Sequence, residues 1–156
     1  MGATQDTSQR EPVHHALTEG QQLESPYTEI TAEKVLAFAE LSGDENPIHL
    51  SIDAANLAGL PKCPAHGAFV FSRCTGLAYR LGLLVKNQAI FRDAELKFSR
   101  PVFVGDSIKI QMMVTKVTVL RPGLKSVELK VKVINQDDIV VHRYTWTAAV
   151  ADGPTN

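Results

Sequence analysis

The stretch His66-Gly67-Ala68-Phe69-Val70-Phe71-Ser72-Arg73-Cys74-Thr75-Gly76-Leu77-Ala78-Tyr79-Arg80-Leu81-Gly82-Leu83-Leu84-Val85 decides the fold. Read as one long helix, it spreads Val70, Phe71, Cys74, Leu77, Ala78, Leu81 and Leu84 over most of its circumference, and only Ser72, Arg73, Tyr79 and Arg80 break the pattern. A helix apolar on nearly every side is buried on nearly every side. One this long needs a large partner to wrap it, and the rest of the chain supplies one.

Downstream, Ile90, Ala94, Leu96 and Phe98 share one parity of a strand that stops at Pro101, and Gly105-Asp106 turns the chain. Ile108, Ile110, Met112 and Val114 alternate with Lys109, Gln111, Met113 and Thr115, the period of a half-buried strand. Val117 and Val119 switch parity, which predicts a bulge near Thr115 and Lys116. Pro122-Gly123 makes a hairpin, and Val127, Leu129, Val131 and Val133 face inward on the returning strand. After the turn at Asn135-Gln136-Asp137-Asp138, a last strand runs from Ile139 to about Val150. Apolar residues on both of its faces leave its parity open.

Upstream, Leu23 to Ile30 reads as a short edge strand interrupted by Pro26. Thr31 caps a helix carrying Val35, Leu36, Phe38, Ala39 and Leu41, and Gly43 suits the left-handed residue that ends it. A short helix over 53–59 is capped by Ser51 or Asp53, and Gly59-Leu60-Pro61-Lys62-Cys63-Pro64 is a loop. The order is therefore strand, helix, loop, long buried helix, then antiparallel strands. That is an α+β arrangement with the helix on one face of the sheet. Residues 21–151 form a single domain, between a polar mobile tail over 1–20 and a short polar tail over 152–156.

A chain of 156 residues is one domain with enough core to stand without staples. A net charge of −1 argues against a nucleic-acid partner. Cys63 and Cys74 do not make a disulfide framework, no secretory leader is visible, and no apolar run is long enough to cross a membrane. The expected setting is intracellular, cytoplasmic by default, with an organelle left open. His14 and His15 fall in the polar tail and read as solvated.

Chemistry concentrates elsewhere, in Leu41-Ser42-Gly43-Asp44-Glu45-Asn46-Pro47-Ile48-His49. Pro47 restricts itself and pushes Asn46 away from helical backbone, so Asp44, Asn46 and His49 are presented rigidly. A carboxylate and an imidazole so placed can hold one water and share its protons. Equally, Asp44 and Asn46 can make side-chain bonds to their own turn while His49 simply packs, and spacing alone favours that turn. His66-Gly67 opens the long helix, where unpaired N–H groups and the helix dipole favour negative charge and a missing Cβ admits a ligand. This suits an oxyanion hole, or merely a tight entry packed against the sheet. Cys63-Pro64-Ala65-His66 lacks the ligands of a zinc site, so no metal is expected. Arg73 and Arg80 read as the helix's solvated strip.

The run Phe38-Ala39-Glu40-Leu41-Ser42-Gly43-Asp44-Glu45-Asn46-Pro47-Ile48-His49 resembles the hydratase signature of MaoC-like, (R)-specific enoyl-CoA hydratases. Asn56-Leu57-Ala58-Gly59-Leu60-Pro61, followed by Ala65-His66-Gly67, is similar to the dehydratase domain of the fungal fatty-acid synthase β chain. Phe98-Ser99-Arg100-Pro101-Val102-Phe103-Val104-Gly105-Asp106 continues the likeness. The resemblance implies a hot-dog fold, in which a long central helix is wrapped by a curved antiparallel sheet that a homodimer extends. It implies reversible hydration of 2-enoyl thioesters, the work of a hydro-lyase, with Asp44 and His49 as catalytic pair; which of the two is acid and which is base is left open, with His49 favoured as the proton donor. Gly67 N–H would be the oxyanion donor and Asn46 and Pro47 the support. Leu57, Ala65, His66 and Ala68 lie near the substrate. Ala68 stands where methionine is frequent, and Cys63-Pro64 also departs from the usual residues, which bears on acyl specificity. No cofactor is implied beyond the CoA or acyl-carrier phosphopantetheine that the substrate carries, and an acyl-carrier protein is a possible partner. A dehydratase or tailoring enzyme of polyketide biosynthesis would use the same pair. A hot-dog thioesterase or a non-catalytic acyl-binding subunit are the other readings.

Overall fold

The computed structural model describes residues 17–82 and 89–151. Its strands are β1 (Gln22–Glu24), β2 (Thr28–Glu29), β3 (Ile90–Phe98), β4 (Ser107–Arg121), β5 (Leu124–Asn135) and β6 (Val140–Ala151). They form a six-stranded antiparallel sheet in the order β1-β4-β5-β6-β3, with β2 also on β4. The helices are α1 (Ala32–Ser42), α2 (Pro47–Leu50), α3 (Ile52–Leu57) and α4 (Gly67–Arg80). α4 packs Phe69, Val70, Cys74, Leu77 and Ala78 into one core with the alternate residues of β4, β5 and β6. This is the expected α+β, hot-dog arrangement.

The periodicities explain most of this. Ile108, Ile110, Met112 and Val114 are buried on β4 and Val127, Leu129, Val131 and Val133 on β5. The expected bulge falls between Val114 and Lys116, and Gly123 makes the hairpin at φ 79°. The parity left open on β6 settles on His142, Tyr144, Trp146, Ala148 and Val150. Val141 is buried as well, because the register with β5 shifts between Val133 and Ile134.

Four local expectations need adjusting. The first strand is two short strands, since Ser25-Pro26-Tyr27 breaks the ladder at a residue without an N–H. Residues 1–16 of the expected tail lie outside the described residues, as do 152–156, but Gly20 already donates its amide to the Val114 carbonyl. α4 stops at Arg80, where Leu81 and Gly82 close a turn, and the expected continuation over 83–85 lies outside the described residues. Most consequentially, β3 buries no parity: all nine of its residues are exposed. It is a terminal strand with a neighbour on one side only, and a bulge between Phe91 and Asp93 breaks its alternation.

Candidate active site

α1 begins at the Thr31 cap and ends at Gly43, whose amide still donates to the Ala39 carbonyl and whose φ of 75° then turns the chain out of the helix. That left-handed step aims the chain into the 44–49 turn. There Asp44 Oδ1 accepts from Asn46 N at 3.3 Å and Asn46 Oδ1 accepts from Ile48 N at 3.2 Å. The side-chain-to-turn bonds are thus present, and they are what hold the turn rigid. Asn46 is the N-cap of α2 with Pro47 in its first turn, an arrangement proline favours because no N–H is lost. α2 in turn delivers His49, half-buried, with its ring toward the loop before α4.

That loop is tied down by backbone. Ala65 N donates to the Val102 carbonyl at 2.7 Å and Val104 N to the Cys63 carbonyl at 2.9 Å. It therefore holds the Pro64 carbonyl firmly, 2.7 Å from His49 Nδ1. A carbonyl only accepts, so the proton of neutral His49 sits on Nδ1 and the lone pair on Nε2. His66 lies behind, 3% exposed, with Nε2 2.8 Å from the Asp44 carbonyl and its ring centroid 3.7 Å from that of His49. One ligand atom from each of Asp44, His49 and His66 lies within 4.8 Å of the others. A single water can bridge polar atoms at that separation through two bonds of ordinary length. Among the described residues, these three side chains are also grouped closely enough to hold a metal ion.

Gly67 is the first residue of α4, so its amide is among the donors left without an intrahelical partner. A Cβ there would meet the Phe98 ring at 3.0 Å, so the tight entry against the sheet is real as well. A cavity of about 490 Å³ opens beside His49, walled by Leu36, Leu50, Ile52, Cys63 and Val104, with Glu33 and Lys62 also lining it. Ala65 is buried next to the site. Ala68 is exposed on α4, and Leu57 stands 91% exposed at the end of α3, away from this cavity. Of the two arginines expected to form a solvated strip, Arg80 is exposed, whereas Arg73 is half-buried, with Nη2 donating to Thr28 Oγ1 at 2.9 Å and Nε buried.

A family model described as MaoC like domain matches residues 13–137. The chain belongs to this family. Among its MaoC-like relatives, the fatty acid synthase subunit beta of Gibberella zeae is 31% identical over 108 residues, 69% of this chain and 5% of that one. The (R)-specific enoyl-CoA hydratase of Aeromonas caviae is 36% identical over 85 residues, 54% of this chain and 61% of that one. The chain thus matches less than two thirds of the length of these curated relatives. Among solved structures, the (R)-hydratase from A. caviae superposes with a TM-score of 0.75 at 27% identity, covering 86% of this chain and 98% of that one. A MaoC-like dehydratase from Rhodospirillum rubrum gives 0.79 at 27% identity, covering 89% and 96%.

Two contacts of this MaoC-like site carried no signal in the sequence. The His49 bond to Pro64 spans 15 residues and is made to a backbone carbonyl, which any residue type could provide. The stacking of His49 on His66 likewise depends on how the loop returns. The short helix α2 was also missed, since the stretch reads as a turn, although Asn46-Pro47, a cap followed by a first-turn proline, is the signal that could have found it.

Proposed function

We propose that this chain is a hydro-lyase adding water reversibly across a 2-enoyl thioester to give a 3-hydroxyacyl thioester. The observation that carries the proposal is the approach of the Asp44 carboxylate to the His49 ring, to within 4.8 Å, beside the free first turn of α4. In the hydration direction the thioester carbonyl accepts from Gly67 N–H. Water, held by the Asp44 carboxylate and His49 Nε2, attacks the β carbon and loses a proton to Nε2. The alkene electrons move onto the carbonyl oxygen, where the helix start stabilises them. The enolate then collapses and its α carbon takes the proton back from Nε2, on the same face, which gives syn addition. His49 is thus both the acceptor and the donor, and Asp44 orients the water and balances the imidazolium. The name of the Aeromonas relative supports the (R) sense. CoA or an acyl-carrier phosphopantetheine carries the acyl group, and no other cofactor takes part. A homodimer formed through the bare edge of β3 completes the assembly.

Crotonyl-CoA should lose its conjugated enoyl absorbance with no free thiol appearing. Release of thiol would instead identify a thioesterase. Asp44→Asn and His49→Gln should each lower kcat by about 100-fold or more, the usual scale of general acid–base catalysis, with unchanged melting curves. Near-normal turnover in both variants would remove the mechanism.

A further inference from the structure

His66 occupies the N-cap position of α4, yet its side chain makes no capping bond. Serine, threonine, aspartate or asparagine would satisfy a first-turn amide there. His66 also leaves Nδ1 buried without a partner. The Asp44 carbonyl accepts at Nε2, so the proton is on Nε2 and the bare lone pair is the buried one. Two local rules are therefore broken at one residue, immediately before Gly67, and such departures concentrate where function requires them.

What the ring does instead is join the two halves of the proton-transfer pair. Nε2–H fixes the Asp44 carbonyl across 22 residues of chain, and with it the point from which the Asp44 side chain springs. The flat of the ring lies on His49, centroids 3.7 Å apart and planes 31° apart. Phe38 backs it at 5.2 Å. With Nδ1 of His49 held by Pro64 and one face of its ring covered by His66, the direction of His49 Nε2 is determined.

Resting on the hydratase reading above, we infer that His66 is a positioning residue, which sets the Asp44 backbone and the His49 ring relative to each other. It does not touch the reacting atoms. Asparagine and glutamine separate this role from a structural one. His66→Asn can cap α4 but is too short to reach the Asp44 carbonyl. His66→Gln carries an N–H about as far out as Nε2. The Asn variant should keep or raise Tm while kcat on an enoyl-CoA falls about 10- to 100-fold, the cost of a misplacement of about 1 Å, with KM within about threefold. The Gln variant should recover kcat to within about fivefold of wild type. Two-bond proton–nitrogen spectra of the histidine rings give a readout that needs no turnover. The His49 ring protons should be shifted upfield by the stacked ring in wild type, and should lose that shift in both variants. Wild-type kcat in His66→Asn, Tm and kcat lost together in both variants, or His49 signals that do not move would each overturn the assignment. An inactive wild type whose His49 signals respond as described would sink the hydratase reading and leave the positioning role standing.

Discussion

At Gly67 two demands meet on one residue. The Phe98 ring occupies the space a Cβ would need, with atoms at 3.0, 3.0 and 3.2 Å. In the proposed reaction the amide must also stay open to a substrate oxygen. The ring atoms are the far end of a side chain, and a shift of a few tenths of an ångström relieves the contact. Alanine also suits a helix better than glycine by up to about 1 kcal/mol. Gly67→Ala should therefore leave stability within about 1 kcal/mol of wild type in a urea melt. It should still lower kcat/KM at least about tenfold, since the displaced ring and the new methyl crowd the carbonyl pocket. A proportionate loss of stability would mean that the glycine serves packing alone. Such residues were legible in part: Asp44, Asn46, His49 and Gly67 stand out by type and spacing. What joins them does not, because the Pro64 carbonyl and the His66 ring act through a loop whose path is set by bridges to residues 102–104.

Among the elements, β4 and β5 were readable because each has two neighbours and one covered face, so hydrophobic alternation reports burial directly, whereas β6, equally interior, carries apolar residues on both faces and its parity was not legible. β4 and β5 follow their patterns, bulge included. β3 shows where that logic fails. Its apolar residues are as frequent as those of an inner strand, but within one chain they face solvent: Ile90 is 67% exposed, Phe91 36%, Leu96 36% and Phe98 50%. The pattern is that of a strand with a covered face, a cover that the proposed homodimer would supply. A long bare hydrophobic edge is a template for pairing with another strand, which is why the proposed homodimer is placed at this edge. Leu96→Lys should then shift the protein toward monomer in light scattering and lower its Tm. A variant that keeps the wild-type mass and Tm would place the interface elsewhere.

For the molecule as a whole, stability is tied to pH through a buried polar chain that the catalytic reading does not use. His142 on β6 is 2% exposed, and its Nδ1 lies 2.7 Å from the Tyr144 hydroxyl. Burial pushes its pKa down to about 4, against a smaller opposing pull from a ring N–H directed at the Arg100 backbone. The same burial pushes the Cys74 thiol up to about 12 and raises the Tyr144 hydroxyl above its usual range, so the group is neutral as a unit near pH 7. The unfolded chain binds a proton at His142 below about 6.5, whereas the folded chain does so only below about 4. Between those values the unfolded state holds more protons, so stability is full above pH 6.5 and is lost as pH falls toward 4. The loss amounts to at most about 3 kcal/mol. Protonation would also take away the lone pair that receives the Tyr144 hydroxyl, beneath the Phe98 ring that crowds Gly67, since Phe98 packs on His142 at 4.8 Å. Urea melts should show this slope between pH 6.5 and 4. His142→Asn keeps an acceptor for Tyr144 without a titrating ring, and it should flatten the slope even if it lowers stability at pH 7. An equally steep slope in that variant would assign the acid sensitivity to other groups.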